Sequence, residues 1–244
     1  GSATQFQRDS DDSELLAHVQ ITVIVSLIAF QIILLHDRRT VGDRHGTGQQ
    51  GEFPVFAFQN VTVSHASHAD LTDEYTAITR ELKALCSYFG KDVLSQVPES
   101  EFYAAIPALR PLYGDRAVLR AVHFYQEDKR VPEQVAALEA GDFDQFLHLV
   151  KQSGYSSYMY LQNIIPTGAV AHQDMGVALA LCEHYLAGRG AYRVHGGGFA
   201  GTVQAFVPLD RLESFQSGID DALGQGACHI LSIRPWGGAE ILEA

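Results

Sequence analysis

The chain contains neither a Cys-x-x-Cys pair nor a His-Glu-x-x-His signature, which excludes the common zinc-ribbon and metalloprotease donor sets. Its three cysteines, Cys86, Cys182 and Cys228, lie far apart in apolar or helical settings. A sparse, odd-numbered set does not build a disulfide framework. It is the usage of a reducing cytosol, and a cytoplasmic location is expected. The 11 histidines are scattered and are read as surface or core residues, with no metal ligand among them. Positive charge is also scarce, with 17 Lys and Arg against 29 Asp and Glu and a net charge of -12. With no basic stripe to displace counterions from phosphates, nucleic acid is excluded as a partner, and an anionic nucleotide would have to be held by local features.

A long hydrophobic run is missing too. The apolar run Val19 to Leu35 has 17 residues without a charge and is diluted by Gln20, Thr22, Ser26 and Gln31. A bilayer span needs about 20 predominantly apolar residues. The Ile and Val content favours two buried strands, or a strand and a short helix, over a membrane anchor. If the run did insert, Arg38 and Arg39 would put the globular part in the cytoplasm. Gly1-Ser-Ala reads as a leftover of preparation, and Asp9 to Glu14 as a solvated acidic lead-in. Gly46-Thr-Gly-Gln-Gln-Gly51 satisfies the dinucleotide fingerprint literally. It follows no strand directly, however, and Pro54 argues against a helix after it, so it reads as a surface loop.

What is present is a globular pattern, 46% hydrophobic, with regular periodicity from Asp70 onward. Thr72 is the expected N-cap of a helix carrying Tyr75, Ile78, Leu82, Leu85, Cys86 and Phe89 on one face and stopped by Gly90. Pro107 to Pro111 predicts a break, and Asp115 to Lys129 a helix. Pro132 is expected to start a further helix through Leu138. Gly141-Asp142 should end that helix and cap the next, striped by Phe143, Phe146, Leu147 and Val150. Val170 to Leu186 closes the helical group. A strand at Thr202 to Val207, a helix from Asp210 to about Leu223 and a strand at His229 to Arg234 then give a split βαβ unit. The expected class is α+β, with helices packed on an antiparallel sheet.

Between the helical group and that unit lies Arg193-Val-His-Gly-Gly-Gly-Phe-Ala-Gly201. Gly196, Gly197, Gly198 and Gly201 can bring backbone N–H groups close to a ligand in a way that residues with a Cβ cannot. A plain turn between strands is the other reading of the loop taken alone.

Several landmarks in one order give the loop a context. His68-Ala-Asp-Leu-Thr-Asp-Glu-Tyr75 resembles the His, Leu and Tyr stretch of galactokinases, members of the GHMP small-molecule kinase superfamily. Arg116-Ala-Val-Leu-Arg-Ala-Val-His123 with Glu127 and Arg130 resembles their Arg-Ala-x-His helix, and Ala140-Gly-Asp-Phe-Asp-Gln-Phe146 their helical hairpin. The glycine loop resembles the superfamily's third motif, with Ala200 in place of one glycine. The resemblance covers about the last 175 residues. It divides the chain into an unmatched segment, 1–60, and a galactokinase-like GHMP C-terminal domain of ferredoxin-like, split βαβ type, 61–244.

The resemblance implies ATP-dependent phosphorylation of galactose at its 1-hydroxyl, with Mg²⁺, and galactose and ATP as small-molecule partners. It implies that Gly196, Gly197, Gly198 and Gly201 face the nucleotide and that Tyr75 hydrogen-bonds the sugar. Packing on the apolar helix face is the other reading of Tyr75. His68 and Asp70 are read as helix-terminal caps. Arg116, Arg120, Glu127 and Arg130 are expected as ion pairs on a solvated helix face. The sugar-recognition motif, phosphate-binding loop and acidic base that the family carries upstream are not found in residues 1–60. The expected role is therefore a C-terminal lobe whose missing N-terminal kinase lobe would be supplied elsewhere. A non-catalytic sugar-binding or partner-binding module is the alternative.

Overall fold

The computed structural model describes residues 56–62, 71–199 and 201–231. The apolar run at 19–35, the 46–51 loop and the proposed caps at His68 and Asp70 lie outside those residues.

Four strands form one sheet. They are β1 (Phe56–Thr62), β2 (Ala191–His195), β3 (Thr202–Pro208) and β4 (Cys228–Leu231), in the order β2-β3-β1-β4. Every neighbouring pair is antiparallel, with Phe58 opposite both Phe206 and Leu231, and Val194 opposite Val203. β3 and β4 are therefore parallel to each other with β1 between them, which is the split βαβ unit, and β1 and β2 are related in the same way across β3. The two interleaved units give the ferredoxin-like topology expected. β1 crosses position 60 and holds a central place in the sheet.

The helices are α1 (Thr72–Tyr88), α2 (Glu99–Tyr113), α3 (Asp115–Glu139), α4 (Phe143–Ser156), α5 (Asp174–Leu186) and α6 (Leu212–Leu223). Side-chain alternation divides the sheet cleanly. Val203, Ala205, Val207, Tyr192 and Val194 point into a core with Cys182, Leu186, Phe215 and Ile219 of α5 and α6. Ala191 and Phe206 point the other way, onto Phe146, Leu147 and Val150 of α4, and the Phe146 and Phe206 rings meet edge to face at 5.5 Å. A third core joins α1, α2 and α3 through Leu85, Phe102, Leu109 and Ala121.

Two expected breaks are absent. α2 runs through Pro107 and Pro111, both on the exposed side while Phe102 and Leu109 are buried, so the carbonyls freed by the missing N–H groups can turn to water. α3 continues through Pro132 because it buries residues on both sides of it, including Tyr125, Gln134, Ala137 and Leu138. That burial outweighs the roughly 3 kcal/mol that an internal proline costs. Leu71, not Thr72, occupies the N-cap position of α1. α5 begins at Asp174, leaving Val170 outside it and exposed. Asp142 caps α4 as expected, accepting from the Gln145 amide at 3.0 Å.

Candidate functional site

The glycine loop joins β2 to β3, and Tyr75 and Asn163 shape it from outside. Tyr75, one turn into α1, lies beneath Gly197, where a Cβ would come within 2.7 Å of the ring. Its hydroxyl donates to the Gly198 carbonyl at 2.7 Å. Asn163 approaches from another side. Its Nδ2 donates to the Gly197 carbonyl at 3.1 Å, and its backbone carbonyl accepts from the Phe199 amide at 2.6 Å. A Cβ on Gly198 would fall 2.0 Å from that Asn163 carbonyl, and Gly198 has a φ of +84°. Both features require glycine there.

Phe199 follows in the left-handed region at φ 54°, uncommon for a bulky residue. Burial compensates the strain. Its ring is 3% exposed in the α1–α3 core and meets Tyr75 edge to face at 5.3 Å. The loop is thus pinned on its protein side by an aromatic pair and two side-chain hydrogen bonds. His195 enters the loop with its Nδ1 buried and unpartnered among the described residues. Burial holds this imidazole below its usual range, opposed by a hydrogen bond with Gln204.

The segment carrying Asn163 is itself tied to α1 and α3. A π-helical turn, Ser157–Leu161, ends with Gln162 in the left-handed region and turns the chain toward the loop. Arg120 Nε donates to the Leu161 carbonyl at 3.1 Å, and the Thr167 amide donates to Glu74 at 2.7 Å. Arg116 and Arg120 both pair with Glu81 of α1. Burial pushes the Arg120 guanidinium below its usual range despite the nearby Glu81 carboxylate.

Of the four residues expected on a solvated face, only Arg116 is substantially exposed, at 40% of its side chain. The Arg120 side chain is 0% exposed, and Glu127 and Arg130 are buried as well. Glu127 pairs with Arg130 one turn on and accepts from Ser153 at 2.6 Å, while Arg193 of β2 donates to Ser153 at 2.6 Å. The expectation failed because the facing α1, α4 and β2 elements cover the polar side of α3, which helical spacing alone does not reveal. Gly154 makes this fit possible, since a Cβ there would be 3.0 Å from Arg193 Cβ.

The structure therefore brings Tyr75 together with Gly197 and Gly198. Gly196 has a φ of +67° at the loop's entry, and Gly201 closes it, with its Cβ position 3.2 Å from the Gly198 carbonyl. Asn163 was missed by the sequence reading. Its signal was a polar pair, Gln162-Asn163, interrupting an apolar run just before Pro166. Among the described residues no group of three His, Cys, Asp or Glu side chains stands together to hold a metal ion. Nor is any described helix long and apolar enough to cross a membrane.

No family profile matches the chain. It is similar to the galactokinase of Mannheimia succiniciproducens, 28% identical over 158 residues, covering 65% of this chain and 39% of that protein. It is likewise similar to the galactokinase of Glaesserella parasuis, 28% identical over 163 residues, covering 67% of this chain and 40% of the relative. The crystal structure of Lactococcus lactis galactokinase complexed with galactose superposes with a TM-score of 0.56 at 21% identity, over 75% of this chain and 46% of that one. The chain spans about two fifths of the length of these curated relatives. It carries a galactokinase-like C-terminal portion with the α+β fold of GHMP kinases.

Proposed function

We propose that this chain supplies the C-terminal lobe of a galactokinase-type kinase, with the galactokinase-like unit beginning not at residue 61 but at β1, whose residues from Phe56 onward lie inside its sheet. The reaction would transfer the terminal phosphoryl group of ATP to the 1-hydroxyl of galactose, in a cytoplasmic setting. The carrying observation is the glycine loop held on its protein side by Tyr75 and Asn163, which commits two loop carbonyls inward. Backbone N–H groups fixed in this way can meet phosphate oxygens without reorganising, which is where such catalysis gains most. Gly196, Gly197, Gly198 and Gly201 are the nucleotide-facing residues of this reading. Tyr75 is its sugar contact, its hydroxyl standing at the glycine loop where it donates to the Gly198 carbonyl.

ATP would supply the phosphoryl group and Mg²⁺ would offset its charge. The ion would arrive with the nucleotide and be held by an N-terminal kinase lobe. A sugar-binding or partner-binding module without turnover is the second reading, because the chain spans only 39% and 40% of the two galactokinases it is similar to.

ADP release with ATP, Mg²⁺ and galactose, measured beside a Gly197→Val control, tests the proposal. Turnover abolished in the control supports catalysis by this chain. Absence of turnover, with a thermal shift on galactose and none on ATP, supports the binding module. A shift with neither ligand sinks both.

A further inference from the structure

We propose that Asn163 is the positioning residue of the glycine loop and fixes the direction in which the Gly198 N–H points. Two groups of Asn163 act on successive peptides. Nδ2 holds the Gly197 carbonyl at 3.1 Å, and the backbone carbonyl holds the Phe199 amide at 2.6 Å. No cis peptide bond occurs among the described residues, and across a trans peptide C=O and N–H point in opposite directions. With the Gly197 carbonyl turned to Asn163, the Gly198 N–H is turned away from it.

A backbone N–H held in a fixed direction is the kind of group that binds an anionic oxygen. The ligand class, a nucleotide phosphate, rests on the function proposed above; the positioning role does not.

The Asn163 side chain is committed to donating. The residue is 1% exposed, and Oδ1 has no partner among the described residues. A group kept at that cost is held for its donor. Its segment is also fixed from both ends, by Arg120 on the Leu161 carbonyl and by Glu74 on the Thr167 amide. Asn163 is thus a rigid post rather than part of a wandering loop.

Asn163→Asp tests this, because the carboxylate cannot donate to the Gly197 carbonyl whereas the protonated acid can, and at a site 1% exposed and facing a carbonyl oxygen that acid is held above its ordinary value of about 4. Amide NMR and hydrogen exchange on the full chain would be read at pH 7.5 and pH 5, beside the parent protein at both. At pH 7.5 the Gly198 and Phe199 resonances of the variant are expected to move or broaden, and Phe199 to exchange roughly tenfold faster, the size of one lost hydrogen bond. At pH 5 both should return toward the parent, and ADP affinity should follow the same profile.

Loop amides that match the parent at both pH values, or that are equally disturbed at both, overturn the positioning role. If Asn163→Asp does not fold, exchange of the parent's own Asn163 side-chain amide decides. Slow exchange supports the role, and exchange at the rate of a free amide overturns it. A loop signature that responds to pH in a protein binding no ADP supports the positioning role and sinks the nucleotide reading alone.

Discussion

The hydroxyl of Tyr75 reaches the Gly198 carbonyl at 2.7 Å across 123 positions of sequence, and its ring lies where any side chain on Gly197 would have to be. One residue of the first helix thus sets both the height and the tilt of a loop formed near the other end of the chain. Tyr75→Phe keeps the ring and removes the bond. Chemical denaturation should show a loss of about 1 kcal/mol. An unchanged midpoint would mean that ring packing alone seats the loop.

Gly197→Val forces Tyr75 aside, because a Cβ would lie 2.7 Å from its Cε1. Overpacking of this kind costs about 1–3 kcal/mol. The edge-to-face contact between Tyr75 and Phe199 should open, which a crystal structure of the variant would show directly. A variant with the loop in place would contradict the close approach described.

Glu81 is the partner of two arginines, one of them fully buried. Glu81→Ala leaves the Arg120 charge uncompensated and should cost about 3 kcal/mol or more. Adding Arg120→Met to Glu81→Ala should recover much of that loss. Urea midpoints of the two variants provide the check, and equal midpoints would show that the pair is not coupled.

Stability should decline on both sides of neutral pH. Burial, with Arg193 and Arg130 close by, pushes the His123 imidazole down from 6.5 to about 3. Below pH 6.5 the unfolded chain takes up a proton that the folded one refuses, so this stability is complete above pH 6.5 and is lost as pH falls toward 3. Burial pushes the Cys86 thiol up from 9.0 to about 11 and the Cys228 thiol to about 12, and it raises Cys182 as well. Their contribution is complete below pH 9.0 and is lost as pH rises through those values. Urea unfolding at pH 4, 7.5 and 10 should show the highest midpoint at 7.5, and His123→Gln should flatten the acid limb.

Much of this architecture was legible locally. The Ile78, Leu82, Leu85 and Cys86 stripe, the Asp142 cap and the strand after the glycine loop each follow from spacing within a few residues. What spacing could not supply was the partner. Pro107, Pro111 and Pro132 read as breaks because the cost of proline is local, whereas the burial that outweighs it comes from other helices. Arg120 and Glu127 read as surface because their counterparts, Glu81 and Ser153, lie 39 and 26 positions away. Tyr75 and the glycines were legible as candidates, but Asn163 was not, since its role exists only once the π-helical turn delivers it to the loop.

β1 occupies a middle place in the sheet although it stands first among the described elements. Trimming the chain from its front to any point beyond Thr62 would remove the strand that β3 and β4 share, making β3 an open edge and leaving β4, already at the edge, with no partner among the described strands. Strands with unpaired backbone recruit other strands, so such a shortened protein would gather into aggregates instead of yielding a smaller version of this fold. Any recombinant version intended to stay in solution therefore has to begin upstream of Phe56.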